Sequence, residues 1–507
     1  MKEIVEGVND KQSVSIYEFE NPEQILAPKE KFSSDWWSYI LTLDHTDLGN
    51  VQRVLAFLNE KLIFTKALGW FVWNGEHWEQ DSKTTPILKQ IVGKAFKEIF
   101  DKALPFYEVF YEDAKDDKEE TKRITAKIAF YRKNTNITAI RNVIQLMEGY
   151  FLTNEEKLDI HPDIINMKNG TLDLRTLKLH PHDPTNYITK TTKLNWNPEA
   201  KCPQFKEFLI AAMSGDKDQA KFLAMMMGYF LSGEDSEQMV YFFCGKGLNG
   251  KSTFCEICHL ILGTYAKHSN IETFLVRKSS AGQARGDLAR LNGARFITAS
   301  EPRPGECLDE STIKQLTGGE PFVARGLYAA DLEIWPTFKV AISFNNEPKI
   351  RGQDEGIWRR ITRIAWNQTF EKNEDFKRIL KEEKEGIFTL AARCCQKFYE
   401  KKKLTTPESV LAETKDYRIS QDTTGRFIEE CLVIDKEGTC EKKKLYKCYR
   451  EWCKDVGEDS KTQNSLGREL KSRFGFKTSH TIGARTWKGV AIFGATILVE
   501  NDDEKEY

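Results

Sequence analysis

At 507 residues the chain is too long for one hydrophobic core and calls for two to four domains. Its net charge of −1 leaves any nucleic-acid surface to local clusters of charge. No apolar run approaches the roughly 18 residues of a membrane span. The opening MKEIVEGVNDKQSVSIYEFE lacks a signal-peptide core, so a cytoplasmic protein without a membrane partner is expected. Its eleven cysteines are then expected to be reduced.

Residues 1–152 are expected to form an α+β domain of unclear role. GWFVWNGEHW (69–78) alternates like a hairpin turning at Asn74-Gly75. The mixed charge of YEDAKDDKEETKRITAKIAFYRK predicts one helical stretch with a solvated face. Residues 153–235 begin with two short strands around Asn169-Gly170. His180 and His182 flank Pro181 without a third ligand nearby, which favours a loop. Two helices follow, split at Ser214-Gly215-Asp216, with Phe222, Met225, Met226, Tyr229 and Phe230 on one apolar face. Between Gln238 and Ile364 the runs MVYFFC, ARFITAS and FKVAISF alternate with helical segments, the rhythm of a parallel α/β sheet. GIFTLAARCCQKFYEKKKL is a helix, TTPES a linker, and a further region runs from about Leu411.

The stretch YFFCGKGLNGKSTF carries the clearest chemistry. Gly245-Lys246-Gly247-Leu248-Asn249-Gly250-Lys251-Ser252 satisfies the phosphate-loop pattern, with an apolar strand before it and Thr253 opening a helix-compatible run after it. Glycines let successive N–H groups face one oxyanion. Lys251 supplies a point charge for the β- and γ-phosphates, Ser252 a hydroxyl for Mg²⁺, and the helix N-terminus its dipole. A carboxylate for metal and water is expected at a neighbouring strand tip, where ARFITASE places Glu301; Glu310 is a weaker candidate. FKVAISFNNEP places Asn345 at a third tip, where an amide orients water. Arg359 or Arg360 in GIWRRI then fits an arginine finger acting in trans. Cys255-x-x-Cys258 followed by His259 has a metal-like spacing but no second pair, so core thiols are expected.

The ordered series GKGLNGKST, ARLNGARFITASE, LDESTIKQLTGGEPFVARGLY and PTFKVAISFNNEPKIRGQDEGIWRRI resembles the helicase domain of viral superfamily 3, as found in poxvirus-type and phage or plasmid primase-helicases. NGTLDLRTLKLHPHDP, CPQFKEFL and GYFLSG resemble the helical region before that domain, so the resemblance spans about residues 150–400. It implies an α/β fold: an AAA+ parallel-sheet ATPase over 236–405, preceded by a helical collar within 153–235. It implies ATP and Mg²⁺ as cofactors, with nucleotide held by Gly245, Gly247, Asn249, Gly250, Lys251, Ser252 and Thr253. Ser252 and Glu301 would hold the metal. Lys251, Glu301, Asn345 and Arg359 or Arg360 would serve catalysis. Lys314, Thr317, Gly318 and Gly319 match the family's K-x-x-T-G-G-D element, with Glu320 replacing Asp. Ser300 stands where many members carry a first acid, leaving the water-activating base open. The family implies a ring, a hexamer, around one DNA strand, with Lys314 and the hairpin residues Arg325, Tyr328 and Lys339 meeting that strand.

No primase Asp-x-Asp pair with a downstream His is found, so a separate primase or polymerase is the expected partner. Residues 441–488 hold 13 Lys and Arg against 6 Asp and Glu. KKKLYKCYREWCKD and SKTQNSLGRELKSRFG predict two helices, the second capped by Ser460 or Asn464, and FKTSHTIGARTWKGVAIF a hairpin. Together they predict a winged-helix module over 411–495, with Lys461, Arg468, Lys471 and Arg473 at duplex or fork phosphates. An acidic tail, 496–507, is expected to be disordered. The expected function is a replicative DNA helicase in a bacterial cell or viral replication site. An RNA helicase and an origin-binding loader are the alternatives.

Overall fold

The computed structural model describes residues 31–59, 61–277, 285–325, 331–371, 374–481 and 484–493. They divide into two units: one from within 1–173, 178–196 and 323–333, the other from 174–177, 197–322 and beyond 334.

The first unit opens with α1 (Ser34–Thr42) and α2 (Asp47–Phe57). Ser33 and Thr46 cap them through side-chain oxygens, leaving apolar faces free to pack. Arg53 of α2 is fully buried; Nε donates to Ile40 O at 3.1 Å and Nη1 to Asp44 O at 2.8 Å, satisfying carbonyls at and beyond the end of α1. Strands β1 (Leu62–Thr65), β2 (Gly69–Trp73) and β3 (Trp78–Gln80) form an antiparallel meander. Asn74 Oδ1 accepts from the N–H groups of Glu76 and His77 at the expected turn. The single helical stretch expected next is two helices, α3 (Pro86–Asp113) and α4 (Lys118–Asn134). Asp117 separates them because its carboxylate accepts from Glu119 N and Glu120 N and starts a new helix. Next come α5 (Ile137–Met147) and a small sheet, β4 (Ile164–Met167), β5 (Gly170–Asp173) and β6 (Leu179–His180). His182 Nδ1 lies 3.0 Å from Asn166 Oδ1 in the loop after it.

The second unit begins with α6 (Pro203–Ala212) and α7 (Lys217–Leu231), split as expected, with Asp216 capping α7. Then come β7 (Val240–Cys244), α8 (Lys251–Leu262), β8 (Ala266–His268), α9 (Gly286–Ala289), β9 (Phe296–Ser300) and α10 (Glu310–Leu316); next in the chain are β10 (Phe322–Arg325) and β11 (Asp331–Ile334), whose residues 323–333 belong to the first unit, and then β12 (Lys339–Phe344), α11 (Glu355–Trp358) and β13 (Ile361–Ala365) of the second. Five strands form one parallel sheet, ordered β13-β7-β12-β9-β8. Three were expected; β8 has only three residues, and in β13 Thr362 and Arg363 interrupt the apolar run. The sheet is buried almost throughout, as all-parallel strands require. On it pack α7 through Phe230, stacked on Phe296 at 4.5 Å, and α8 through Phe254, 5.7 Å from Phe243.

Helix α12 (Glu374–Glu382) precedes α13 (Lys384–Lys401), which lies so close to α7 that a Cβ on Gly228 would sit 2.5 Å from Cys395 N. Helix α14 (Glu408–Gln421) covers β13: Glu413 Oε2 accepts from Ala365 N at 2.8 Å, and Thr414 Oγ1 from Arg363 N at 3.0 Å. The expected boundary near Leu411 therefore falls inside a helix of the sheet region. The remainder has its own core around Phe427, Tyr449, Leu466 and Trp487. It runs α15 (Thr423–Cys431), β14 (Leu432–Glu441), α16 (Lys442–Asp455), α17 (Gln463–Ser472), β15 (Lys477–Thr481) and β16 (Ala484–Ile492), with strands ordered β14-β16-β15. Strand β14 was not expected, and Thr462 rather than Ser460 or Asn464 caps α17. The acidic tail lies outside the described residues.

Candidate nucleotide-binding site

Strand β7 delivers the loop 245–250 from between β12 and β13. Gly247 and Gly250 have φ of +99° and +89°, a region that favours glycine. Gly245 is required by close approach: a Cβ there would stand 2.4 Å from the Trp366 carbonyl oxygen. Asn249 is buried and its Nδ2 donates to that same oxygen at 2.9 Å, so its amide fixes the loop's shape.

Lys251, the first residue of α8, is 4% exposed. Its Nζ donates to Gly245 O at 2.5 Å and to Asn345 Oδ1 at 3.3 Å. Burial pushes its pKa down from the ordinary lysine value, against the pull of the Glu301 charge. An ammonium desolvated among neutral oxygens is poised for an anion. Asn345, past the end of β12, turns its other amide atom to Glu301, with Nδ2 donating to Oε1 at 3.4 Å. Glu301 holds a left-handed φ of +59° at the tip of β9 while its N–H donates to Ser343 O at 2.9 Å. A non-glycine residue in that region is strained, and such strain gathers at functional sites. Glu310 is turned elsewhere: its Oε1 accepts from Gly352 N at 2.6 Å.

These groups line a cavity of about 930 Å³ together with Ser252 and Thr253. Aromatic rings that pack against Gly250 of the loop also line it. Phe208 of α6 lies 6.0 Å from Phe370 and 5.9 Å from Phe376, and Phe370 N donates to Leu248 O at 2.7 Å. Sequence reasoning missed this wall because its rings come from segments over 160 residues apart; the one local signal was the i, i+3 pair Phe205 and Phe208 on α6. Among the described residues no three His, Cys, Asp or Glu side chains gather as a metal cage. Ser252 and Glu301 nevertheless offer the hard oxygen ligands that suit Mg²⁺ held jointly with substrate phosphates. Cys255 and Cys258 are buried in α8, and His259 Nε2 lies 2.8 Å from Thr298 Oγ1 with its ring stacked 4.0 Å from His268.

Several expected contacts are used up inside the fold. Arg360 is buried: Nε donates to Thr317 Oγ1 at 3.1 Å and Nη1 to Gly356 O at 2.5 Å, so it braces α10 against α11 and is not a free finger. Arg359 beside it is exposed. Lys339 is 2% exposed, donates to Ser232 O and to Glu234 O, and sits 4.6 Å above the Tyr229 ring, so it cannot meet DNA. Lys314 pairs with Asp354 at 3.0 Å. Arg325 faces Asp331 across its hairpin at 3.8 Å, both exposed. Tyr328 lies outside the described residues. Lys461 pairs with Glu469, and Arg473 with Asp422 and Glu469, so these cations are neutralised internally. Arg468 and Lys471 are exposed.

Residues 51–214 match the family described as D5 N terminal like. The chain is 26% identical over 419 residues to "Putative helicase L207/L206" of Acanthamoeba polyphaga mimivirus, covering 76% of this chain and 43% of the relative. It is 24% identical over 353 residues to "Putative helicase 022R" of Frog virus 3, covering 65% and 34%. It is 22% identical over 466 residues to "Putative primase C962R" of African swine fever virus, covering 82% and 48%. The chain thus spans less than half the length of these relatives. A solved structure described as the apo NrS-1 C terminal region is similar at 13% identity and a TM-score of 0.46, covering 87% of this chain and 98% of that one. No helix among the described residues is long and apolar enough to cross a membrane. The expected resemblance therefore holds: the chain is similar to the helicase and primase proteins of large DNA viruses, and within it residues 51–214 match the D5 N terminal like family.

Proposed function

We propose that this chain is an ATP-dependent DNA helicase of viral or mobile-element replication, acting as a ring. The observation that carries the reading is the linked set Lys251, Asn345 and Glu301, gathered from three strand ends around one cavity. Ligands of open parallel sheets bind at such carboxyl ends.

In this reading the loop N–H groups and Lys251 grip the β- and γ-phosphates. Phe370 and Phe376, the half-buried rings backed by Phe208, take the base by stacking. Ser252 and Glu301 hold Mg²⁺, which when bound neutralises charge developing on the phosphates. Asn345 orients the attacking water, and Glu301 accepts its proton. Arg359 projects into the site of the next subunit, so hydrolysis requires self-association. Six copies would close the ring. Helices α6, α7 and α13 would serve as its collar, the sheet unit as an AAA+ core, and the region from α15 to β16 as a winged helix on duplex DNA. The protein would work in a cytoplasm or viral replication site beside a separate primase or polymerase.

The test is strand displacement on a labelled fork. The wild type should unwind with ATP and Mg²⁺ on a DNA tracking strand, and Lys251→Ala should not. Hydrolysis with origin-specific binding but no displacement would replace this reading with a loader. Displacement only on an RNA strand would make it an RNA helicase.

A further inference from the structure

A second cavity, of about 680 Å³, opens between the N-terminal turn of α16, the outer face of α17 and the start of β16. Among the described residues five cations line it, Lys442, Lys443, Arg468, Lys471 and Arg485, with one carboxylate, Glu441. None of the five forms an ion pair among the described residues. Their neighbours behave differently. Lys461 and Arg473 are paired with Glu469 and Asp422, and Arg426 with Glu430 at 3.7 Å. Glu430, Glu469 and Asp422 are thus engaged with those neighbours, and five cations share the cleft with the single carboxylate of Glu441.

Lys442 shows the cost. Its Nζ lies 4.7 Å above the Trp487 ring, and partial burial, reinforced by the charges of Lys471 and Arg485, pushes its pKa down. Like charges held together around a cavity repel, and the arrangement is relieved when an anion of several charges enters.

We infer that this cleft is a backbone-phosphate site for duplex nucleic acid, read without regard to sequence. Single strands are gripped by exposed rings on which bases stack. Here Trp487 is only 3% exposed and capped by Lys442, and the half-buried Tyr446 is stacked on Tyr449 with its hydroxyl donating to Lys461 O, so both rings of the cleft are already engaged and it offers chiefly charge. An exposed helix face, α17, flanked by a hairpin suits the contour of a double helix. The inference deepens the helicase reading and rests on it for the choice of nucleic acid.

The experiment is a salt titration of the full chain with a fluorescent duplex of mixed sequence, comparing wild type with the triple variant Lys442→Gln, Lys471→Gln, Arg485→Gln. The variant should bind about 30-fold more weakly at low salt, and its log–log salt slope should shrink by about 2.7, since each lost phosphate contact removes about 0.9. Two unrelated sequences should lose equally, and a single strand should lose far less. Unchanged affinity and slope, or a loss confined to one sequence or equal on single strands, overturns the inference. Should the triple variant unfold, Lys443→Gln and Lys471→Gln singly, both exposed, should each take about 0.9 from the slope, and no change in either overturns it. The two readings fail separately. Lys251→Ala should keep duplex affinity while losing hydrolysis. A wild type that binds duplex through the cleft but never unwinds sinks the helicase reading alone.

Discussion

Asn345 Oδ1 accepts from Lys251 Nζ at 3.3 Å, while the same amide's nitrogen donates to Glu301 at 3.4 Å. One side chain thus joins the Lys251 ammonium, proposed above to meet phosphate, to the carboxylate 50 residues further along the chain, and fixes which amide face each one sees.

Lys251→Ala should reduce ATP turnover at least 100-fold, because it removes the buried charge that meets the phosphates. Asn345→Asp should cost a comparable factor, since an acid there loses the donor to Glu301 and places two carboxylates together. Steady-state hydrolysis measures both, with light scattering to show that assembly survives. Turnover near wild type in Lys251→Ala would refute the site.

Arg359 and Arg360 should separate cleanly. Arg359→Ala should abolish hydrolysis without changing the unfolding midpoint, and mixing it with Lys251→Ala protein should restore partial activity at mixed interfaces. Arg360→Ala should instead lower stability by about 2 kcal/mol, because Thr317 and Gly356 lose a buried guanidinium partner. Equal stability in both variants would contradict the assignment.

Phe370→Ala should raise the KM for ATP about tenfold with little change in kcat, as loss of a half-buried ring that can stack weakens ground and transition states alike. It should also blunt preference among nucleotide bases. A fall confined to kcat would place Phe370 elsewhere in the mechanism.

His259 titrates near 4 in the fold because burial and the stacked His268 disfavour its charge. The unfolded chain takes up this proton near 6.5, so between pH 6.5 and 4 the unfolded state binds more protons. Stability should therefore fall as pH drops through that window, by on the order of 3 kcal/mol in all. Denaturant unfolding at pH 7 and pH 5 should show about 2 kcal/mol of this loss in the wild type and a smaller one in His259→Gln.

Lys339 is held well below the ordinary lysine range by burial and by Arg295. The unfolded state then binds the extra proton below 10.5, so wild type should gain stability over Lys339→Met as pH rises toward that value. At neutral pH the same variant should retain DNA affinity, which a pore-lining lysine would not allow. A large loss of affinity at unchanged stability would restore the DNA role.

The phosphate loop was legible because its constraints are local: glycines at positive φ, a lysine and a hydroxyl at fixed spacing, a strand before and a helix after. The strand tips bearing Glu301 and Asn345 were legible for the same reason, since apolar runs of five or six residues announce buried parallel strands. The helices of the basic C-terminal region also followed from spacing alone. What sequence could not decide was which cations remain free. Arg359 and Arg360 are chemically alike, and Lys339 sits in a run that reads as a pore hairpin. Whether such a side chain meets solvent or a buried carbonyl depends on the facing element, and Thr317, Ser232 and Glu469 come from elsewhere in the chain. The aromatic wall of Phe208, Phe370 and Phe376 and the cation-rich cleft around Lys442 likewise exist only once distant segments pack. Local spacing determined the loop and the strand-tip side chains on which the proposed nucleotide chemistry rests; only tertiary packing decided which charges were left to act, because partnering and desolvation are properties of neighbours in space.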